Sequence, residues 1–461
     1  MSQTYRLNLA PARDTPSIGK EMLEAKDFEL RKKKSVRAWA MYDFAGQGYQ
    51  VTTASALFPA YFARGIAPEG LTILGLHFPA EALWGFGIGI AAAIVFILSP
   101  VLGAIADFGA HKKRFLMSFA YGGCLFASLL FFAQEGMVWF SLILFILAQI
   151  SFTSGNVFYD SFLPHLVPEK DIDSASGLGF AYGYLGGTLQ FGFALALVSG
   201  HDWVGLSEAM AIRISLLSAG LWWLFFSTYT FIHLKEDRSR AKKANLFKTT
   251  HLGVQKTFHT LKQIPKFPSM LLFLIAFFFY NDGIQTVISI AGVYASGTLK
   301  LSTESIMITF LIVQFVAIGG ALGFSFLAKR LGTKKALILG LGAWCGIVIA
   351  AFFLKEGQAT GFIILGALIG LILGGTQALS RSLFASIVPI EASAGFFGFY
   401  SVFNKLSAIL GPILFGLMTT IMGSARPAVL MILIFFIIGT GFLFFVDLKK
   451  ARAARLHWEL S

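Results

Sequence analysis

Long apolar stretches separated by short polar or basic connections run along the chain from residue 38 to residue 447. A bilayer core about 30 Å thick needs about 20 mostly apolar residues per helix. On that measure twelve transmembrane helices are predicted, over 38–64, 81–106, 114–134, 137–166, 174–199, 209–234, 268–297, 303–328, 334–354, 361–388, 395–423 and 426–447. The one long connection, Lys235 to Lys266, is polar, basic and placed midway. The expected organisation is an N-terminal segment (1–37), a six-helix half (38–234), a central link (235–267), a second six-helix half (268–447) and a tail (448–461).

Composition agrees with a bilayer. Charged residues make up 13% of the chain, where a soluble protein carries roughly a quarter. Apolar residues reach 56%, with 49 Phe and 48 Gly, and the mean hydropathy is +0.72. The net charge of +13 does not point to nucleic acid once its distribution is counted. Alternate connections carry thirty Lys and Arg on one side and five on the other, which predicts that both termini and the central link are cytoplasmic. The N-terminal 37 residues lack an apolar core followed by a small-residue cleavage site, so they read as a cytoplasmic flank rather than a cleaved signal peptide. Cys124 and Cys345 fall inside apolar stretches and read as packing residues.

The chain also repeats itself. A shift of 221 positions aligns Lys113 with Lys334, Cys124 with Cys345, Glu135-Gly136 with Glu356-Gly357, Ser161 with Ser382 and Pro168 with Pro389. The third and fourth spans thus correspond to the ninth and tenth, and the two copies share one orientation. That is a parallel repeat about an axis along the membrane normal. Twelve helices, two parallel halves and a basic central link describe the major facilitator fold, an all-α membrane architecture.

Short motifs extend this. Gly103, Asp107 and the basic cluster Lys112-Lys113-Arg114 resemble that superfamily's signature between spans 2 and 3, with Phe108 and Ala110 as departures. In the second copy Gly332 is kept and Lys329 replaces the acid. The segments WAMYDF (Trp39 to Phe44), SGLGFAYGYLGG (Ser176 to Gly187), GGTQALSRSLF (Gly374 to Phe384) and FFGFYSVFNKLSAILGP (Phe396 to Pro412) resemble the vacuole-effluxer-like branch, which includes autophagy-related amino-acid effluxers. The resemblance implies amino-acid transport. Gly46-Gln47-Gly48 departs from that branch's usual Asn-Ser-Ala in a cavity-lining helix, which allows a different cargo.

Ionisable groups inside a span are expensive and need a partner, water or a function. Asp282, next to Asn281 and Gly283, and Lys405, next to Asn404, both fall near mid-depth of the second half. They are expected either to clamp a zwitterion, Asp282 taking the ammonium and Lys405 the carboxylate, or to pair with each other or with other polar groups and hold two helices together. Asp43 lies nearer the cytoplasmic end of the first span and is either a protonation site or a gate residue. Gln47, Tyr49, Gln50, Thr52 and Thr53 form a neutral polar stretch suited to hydrogen-bonding cargo or to joining helices. Asp160 and Arg381 are equivalent under the 221-residue shift. Opposite charges there suggest a cytoplasmic latch between halves, with pairing inside each half as the alternative.

The loop signature implies that Asp107 meets the start of span 11 near Ser393, where exposed N–H groups favour a carboxylate. Lys112, Lys113 and Arg114, and Lys449, Lys450, Arg452 and Arg455 in the tail, read as topology determinants and lipid headgroup contacts. Tyr182, Tyr184, Phe399 and Tyr400 either shape a cavity or pack helices, and Glu81 and Glu208 sit at outer helix ends.

Nothing in the sequence points to an enzyme, a cofactor or direct ATP drive: there is no GxxxxGK[ST] loop and no His or Cys set with metal-ligand spacing. The expected function is secondary active transport of a small polar solute by alternating access, an amino acid or similar zwitterion with possible proton coupling. Competing readings are an anionic metabolite, siderophore or drug as cargo, or a non-transporting sensor on the same scaffold. The expected setting is a bacterial inner membrane, with the protein acting as a monomer.

Overall fold

The computed structural model describes residues 18–236 and 267–456, apart from 74, 79 and 110. Most of the expected central link and the last five residues of the tail therefore lie outside the described residues.

Eleven helices are long and apolar enough to cross a membrane among the described residues. The twelfth expected span, the first, is present but interrupted. Helix α1 (Ile18–Tyr49) passes into π-helical turns (Gln50–Leu57), one α-turn (Phe58–Tyr61) and further π turns (Phe62–Ile66). Its α-helical part carries the basic run Arg31 to Arg37 together with Asp43 and Gln47, so it never accumulates the apolar length of its neighbours. The helix is also continuous across residue 37, where a segment boundary was expected.

After a small antiparallel hairpin, Leu71–Ile73 with Leu76–Phe78, the chain follows the hydropathy pattern. The helices are α2 (Ala80–Gly109), α3 (Lys112–Leu129), α4 (Val138–Leu166), α5 (Ile172–Ser199) and α6 (Glu208–His233). Beyond the link come α7 (Pro268–Val293), α8 (Thr303–Leu331), α9 (Thr333–Phe353) and α10 (Ala359–Ile387). The eleventh span is split into α11 (Ser393–Leu406) and α12 (Leu410–Met422). The chain then forms α13 (Ile432–Phe445) and a tail helix, α14 (Leu448–Leu456).

The 221-residue repeat is visible in the element boundaries. It carries Val138–Leu166 onto Ala359–Ile387, and the following 3-10 turn Glu169–Asp171 onto Ile390–Ala392. Gly136 and Gly357, both in the left-handed region (φ 78° and 76°), mark the same turn in each copy.

Apolar surface faces outward, as lipid contact requires: Phe225, Phe315, Phe353 and Phe445 are all exposed. The largest buried aromatics, Trp39, Trp223 and Trp344, sit inside the bundle. Small residues let the two halves approach. A Cβ at Gly103 of α2 would stand 2.3 Å from the Ala394 carbonyl oxygen of α11, so only glycine permits this crossing.

Candidate functional site

Helices α1, α4 and α5 of the first half and α7, α8, α10 and α11 of the second enclose a cavity of about 640 Å³. Its wall is mixed. Phe152, Phe180, Ile284 and Phe310 supply apolar surface, and Gln50, Asn156, Asn281, Gln314, Gln377 and Asn404 supply amides from six different helices or turns. A second void of about 40 Å³, among α7, α9, α10 and α13, is lined by apolar side chains alone.

At the end of the bundle that carries Lys112 and Thr333, called here the basic end, the cavity floor is closed by one arginine. Arg381 of α10 donates through Nη1 to Asp160 Oδ1 (3.1 Å) and to Asp43 Oδ2 (3.2 Å). Through Nε and Nη2 it bonds the Ser176 hydroxyl (3.1 Å) and carbonyl (2.9 Å) of α5. Its guanidinium lies over Phe180 (4.0 Å), Trp39 (5.0 Å) and Tyr159 (5.4 Å). Tyr159 in turn donates to Asp43 Oδ2 (3.0 Å), and its backbone carbonyl accepts from the Trp39 indole (2.8 Å). A planar, weakly hydrated cation suits such an aromatic box. The pairing is between halves, not within each.

Further inter-half bonds cluster at this end. Asp173 accepts from Ser382 Oγ (2.5 Å) and Thr333 Oγ1 (2.7 Å), and the Ser176 hydroxyl donates to the Ala378 carbonyl (2.7 Å). Lys112 Nζ donates to Ser393 Oγ (2.7 Å). Bonds reach as far into the bundle as Tyr184 OH to Gln377 Oε1 (2.6 Å). The cavity itself extends toward the opposite end, to Thr309 and Phe362 near the starts of α8 and α10.

Most of the residues expected from sequence come together on this cavity: Asp43, Gln47, Gln50, Asn281, Asn404 and Lys405 line it, and Asp160 and Arg381 form its floor. Tyr184 and Tyr400 line it as well, whereas Tyr182 and Phe399 are not part of the wall. The neutral stretch of the first span is divided. Gln47 and Gln50 face the cavity, while Thr52 turns to Gln190 of α5 and Tyr49 to Gln149 of α4. The Asp107 side chain lies outside the described residues. Lys405 is half-buried in the wall, and its ammonium has no hydrogen-bond or ion-pair partner among the described residues.

Asp282 takes the structural alternative rather than the clamp. It is fully buried and absent from the cavity wall. Asn281 points inward instead, bonding Asn404 Oδ1 (3.0 Å) and Ser407 Oγ (2.5 Å) at the break between α11 and α12. One residue on, the side chain is turned by about 100° around the helix. There Asp282 Oδ1 accepts the Gly411 N–H (2.9 Å) at the start of α12, where an unpaired N–H and the positive dipole end welcome a carboxylate. The expected clamp thus keeps Lys405 in the cavity and loses Asp282 to helix capping.

The tail is also corrected. Arg452 and Arg455 turn to Glu169, at 2.8 and 2.7 Å, and Arg455 reaches the Ser386 carbonyl at 2.5 Å, so α14 ties α10 to the first half. Lys449 and Lys450 stay exposed. Sequence reasoning missed Asn156, Gln314 and Gln377. The signal was available as lone amides inside otherwise apolar stretches.

A pseudo-symmetric bundle with a polar cavity between its halves, closed at one end by buried charge, defines a multi-pass transporter of the major facilitator type. The chain belongs to the family described as vacuole effluxer Atg22-like, whose family model matches residues 31–455. YxiO of Bacillus subtilis (strain 168), described as an uncharacterized MFS-type transporter, is 31% identical over 415 residues, covering 90% of this chain and 95% of its own. Autophagy-related protein 22 of Kluyveromyces lactis is 24% identical over 481 residues, covering 91% and 94%. Among solved structures, the proton:xylose symporter XylE bound to 6-bromo-6-deoxy-D-glucose matches with a TM-score of 0.68 at 15% identity, covering 94% of this chain and 100% of that one. FucP in the outward conformation matches with a TM-score of 0.63 at 14% identity, covering 89% and 98%. These two share the fold.

Proposed function

We propose that the protein is a secondary active transporter that carries a small solute bearing a carboxylate, an amino acid or similar zwitterion, across a bacterial inner membrane by alternating access, as a monomer and with proton coupling. The observation that carries this is Lys405: a cation without an acidic partner among the described residues, in the wall of a 640 Å³ cavity whose other charged residues are gathered around Arg381 at its floor. That volume suits a small ligand. An ammonium held in a half-buried site without a counter-charge invites an anionic group from the cargo. Amides from both halves then give hydrogen bonds that tighten only when the halves enclose the solute.

The charge bias of thirty Lys and Arg against five supports a cytoplasmic basic end. On that orientation the conformation is the one sealed toward the cytoplasm. The sequence segments that resemble amino-acid effluxers support the amino-acid part of the reading, and a proton symporter of the same fold supports the proton part. A second reading, an anionic metabolite as cargo, is favoured by one feature: with Asp282 outside the cavity, no mid-depth carboxylate among the described residues waits for an ammonium.

The test is counterflow into proteoliposomes preloaded in turn with unlabelled amino acids and with unlabelled small carboxylic acids, using the matching labelled mixture outside. Wild type is expected to exchange amino acids. Lys405→Met is expected to lower that exchange about a hundredfold, equivalent to roughly 2–3 kcal/mol of lost charge-assisted binding, with an unchanged melting temperature. Exchange of the carboxylic acids alone selects the second reading, and full activity in Lys405→Met overturns both.

A further inference from the structure

Arg381 is one cation facing two carboxylates, and it reaches both of them through a single nitrogen. Nε and one Nη2 hydrogen serve Ser176, and the two hydrogens of Nη1 go one to Asp43 and one to Asp160. Neither carboxylate receives the two-pronged contact that makes an arginine pair strong. The side chains are 10% and 20% exposed, and that of Arg381 only 4%.

With both acids ionised, the cluster carries a net negative charge in a setting where an uncompensated charge costs several kcal/mol. No other cation among the described residues is bonded to the cluster; the Lys112 ammonium at this end is held by Ser393 and His165. Tyr42 stands beside Asp43 on α1, Tyr159 on α4 gives Asp43 one hydrogen bond, and Tyr184 on α5 and Tyr400 on α11 share the cavity. Tyrosine is neutral near pH 7. Asp173 on α5 is engaged by Ser382 and Thr333, and it adds negative charge to this end. Lys405 lies two to three turns farther along α11 from the basic end than Phe396.

We infer that Asp43 and Asp160 together form a proton-binding site, and that sealing the basic end around Arg381 retains one proton on the pair. This rests on the transporter reading, since it names the site of proton coupling within it. Asp43 Oδ1 and Asp160 Oδ2 have no protein donor among the described residues, and both side chains border the cavity. A proton from cavity water can therefore bond to either oxygen, forming one carboxylic acid beside one arginine-paired carboxylate. Both acids belong to the first half and Arg381 to the second. Parting the halves exposes the acids to water, whose hydration of the carboxylates outweighs the loss of the Arg381 cation, and the proton leaves to it.

Sealing and protonation are thereby linked. One extra proton in the sealed state shifts the sealed-to-open ratio by up to tenfold per pH unit, toward sealed at low pH. Asp282, buried with Oδ2 unpartnered, is the competing site, and the experiment must separate the two.

The experiment is infrared difference spectroscopy across neutral pH on the whole protein in lipid, with aspartate carboxyls labelled with 13C. It needs no substrate, so its outcome is independent of what is transported. Wild type is expected to show an isotope-sensitive carboxylic-acid C=O band. Asp43→Asn and Asp160→Asn, each checked for folding by gel filtration, should each remove it, because the remaining carboxylate then has Arg381 to itself. Asp282→Asn should leave it. A band that survives both gate variants, a band lost only in Asp282→Asn, or the absence of any such band in wild type overturns the inference. Either gate variant suffices if the other fails to fold.

Discussion

Arg381 and Lys405 are both cations embedded in spans of the second half, and their surroundings are opposite. Arg381 is enclosed by two carboxylates, a serine and three aromatic rings. Lys405 meets amides and open cavity. A buried charge whose partners come from the other half holds the halves together, whereas a charge left without a partner is available to something that arrives and leaves. Residue type alone does not separate these jobs; the inventory of partners does.

The comparison breaks most visibly at Arg381. Arg381→Ala strands two buried carboxylates, and removing one member of a buried ion pair costs about 3–5 kcal/mol. We expect a lowered melting temperature and no measurable counterflow. Arg381→Lys restores charge but not the fork that serves Ser176 and both acids at once, so it should recover only part of either loss. The exchange Asp160→Arg with Arg381→Asp should recover more transport than Arg381→Asp alone, because an arginine–aspartate pair across the halves is then restored. Equal activity in the single and double variants would mean that the contact does not gate. Lys405→Met is the opposite case, in which transport falls while stability holds.

Between these extremes lies the break in the eleventh span. Gly411 cannot carry a side chain: an added Cβ would stand 1.7 Å from Thr286 Oγ1 and 2.8 Å from Asp282 Oδ1. Gly411→Ala should therefore destabilise by about 1–3 kcal/mol through overpacking. Asp282→Ala should cost a similar 1–3 kcal/mol by orphaning the Gly411 N–H, while Asp282→Asn, which keeps an acceptor oxygen, should melt close to wild type. Equal losses for Ala and Asn at 282 would mean that the charge matters there, not the cap.

How far the sequence discloses this is instructive residue by residue. Spans were legible because lipid contact forces long apolar runs, and the 221-residue repeat was legible because helix ends carry Pro, Glu and Gly in fixed places. Asp160 opposite Arg381 was legible for the same reason. That Asp43 joins them was not, since nothing in the chain states how two helices are rotated. The same ignorance of rotation sent Asp282 to the wrong face, because depth along a helix can be counted but azimuth cannot. The π turns at Gln50–Leu57 add to this, since they rephase the first span and turn Thr52 and Thr53 away from the side that Gln47 and Gln50 occupy. The segments WAMYDF, SGLGFAYGYLGG and GGTQALSRSLF turn out to supply Trp39, Asp43, Ser176, Phe180 and Arg381 to one cluster, and the fourth supplies Asn404, Lys405, Ser407 and Gly411 to the break.

The smallest effect is expected where charge is paired but wet. Glu169 holds Arg452 and Arg455 of α14 with side chains 35%, 36% and 16% exposed, so solvent screens much of the attraction and each pair contributes at most about 1 kcal/mol. Asp447 caps the same helix by accepting the Lys450 (3.1 Å) and Lys449 (3.0 Å) amides. The Lys450 amide foremost, with the Lys449 amide and the Lys450 and Lys334 ammonium groups, holds its carboxyl below the ordinary value. A depressed folded-state value means that the cap contributes fully at neutral pH and is lost as pH falls through that value. The double variant Arg452→Ala with Arg455→Ala should leave the melting temperature nearly unchanged. It should raise the counterflow rate a few-fold, because α14 bridges α10 and the first half in the sealed conformation. Hydrogen exchange of the α14 amides should rise in that variant at neutral pH, and in wild type only on acidification. An unchanged counterflow rate with the helix already released would mean that the tail rests on the gate without restraining it.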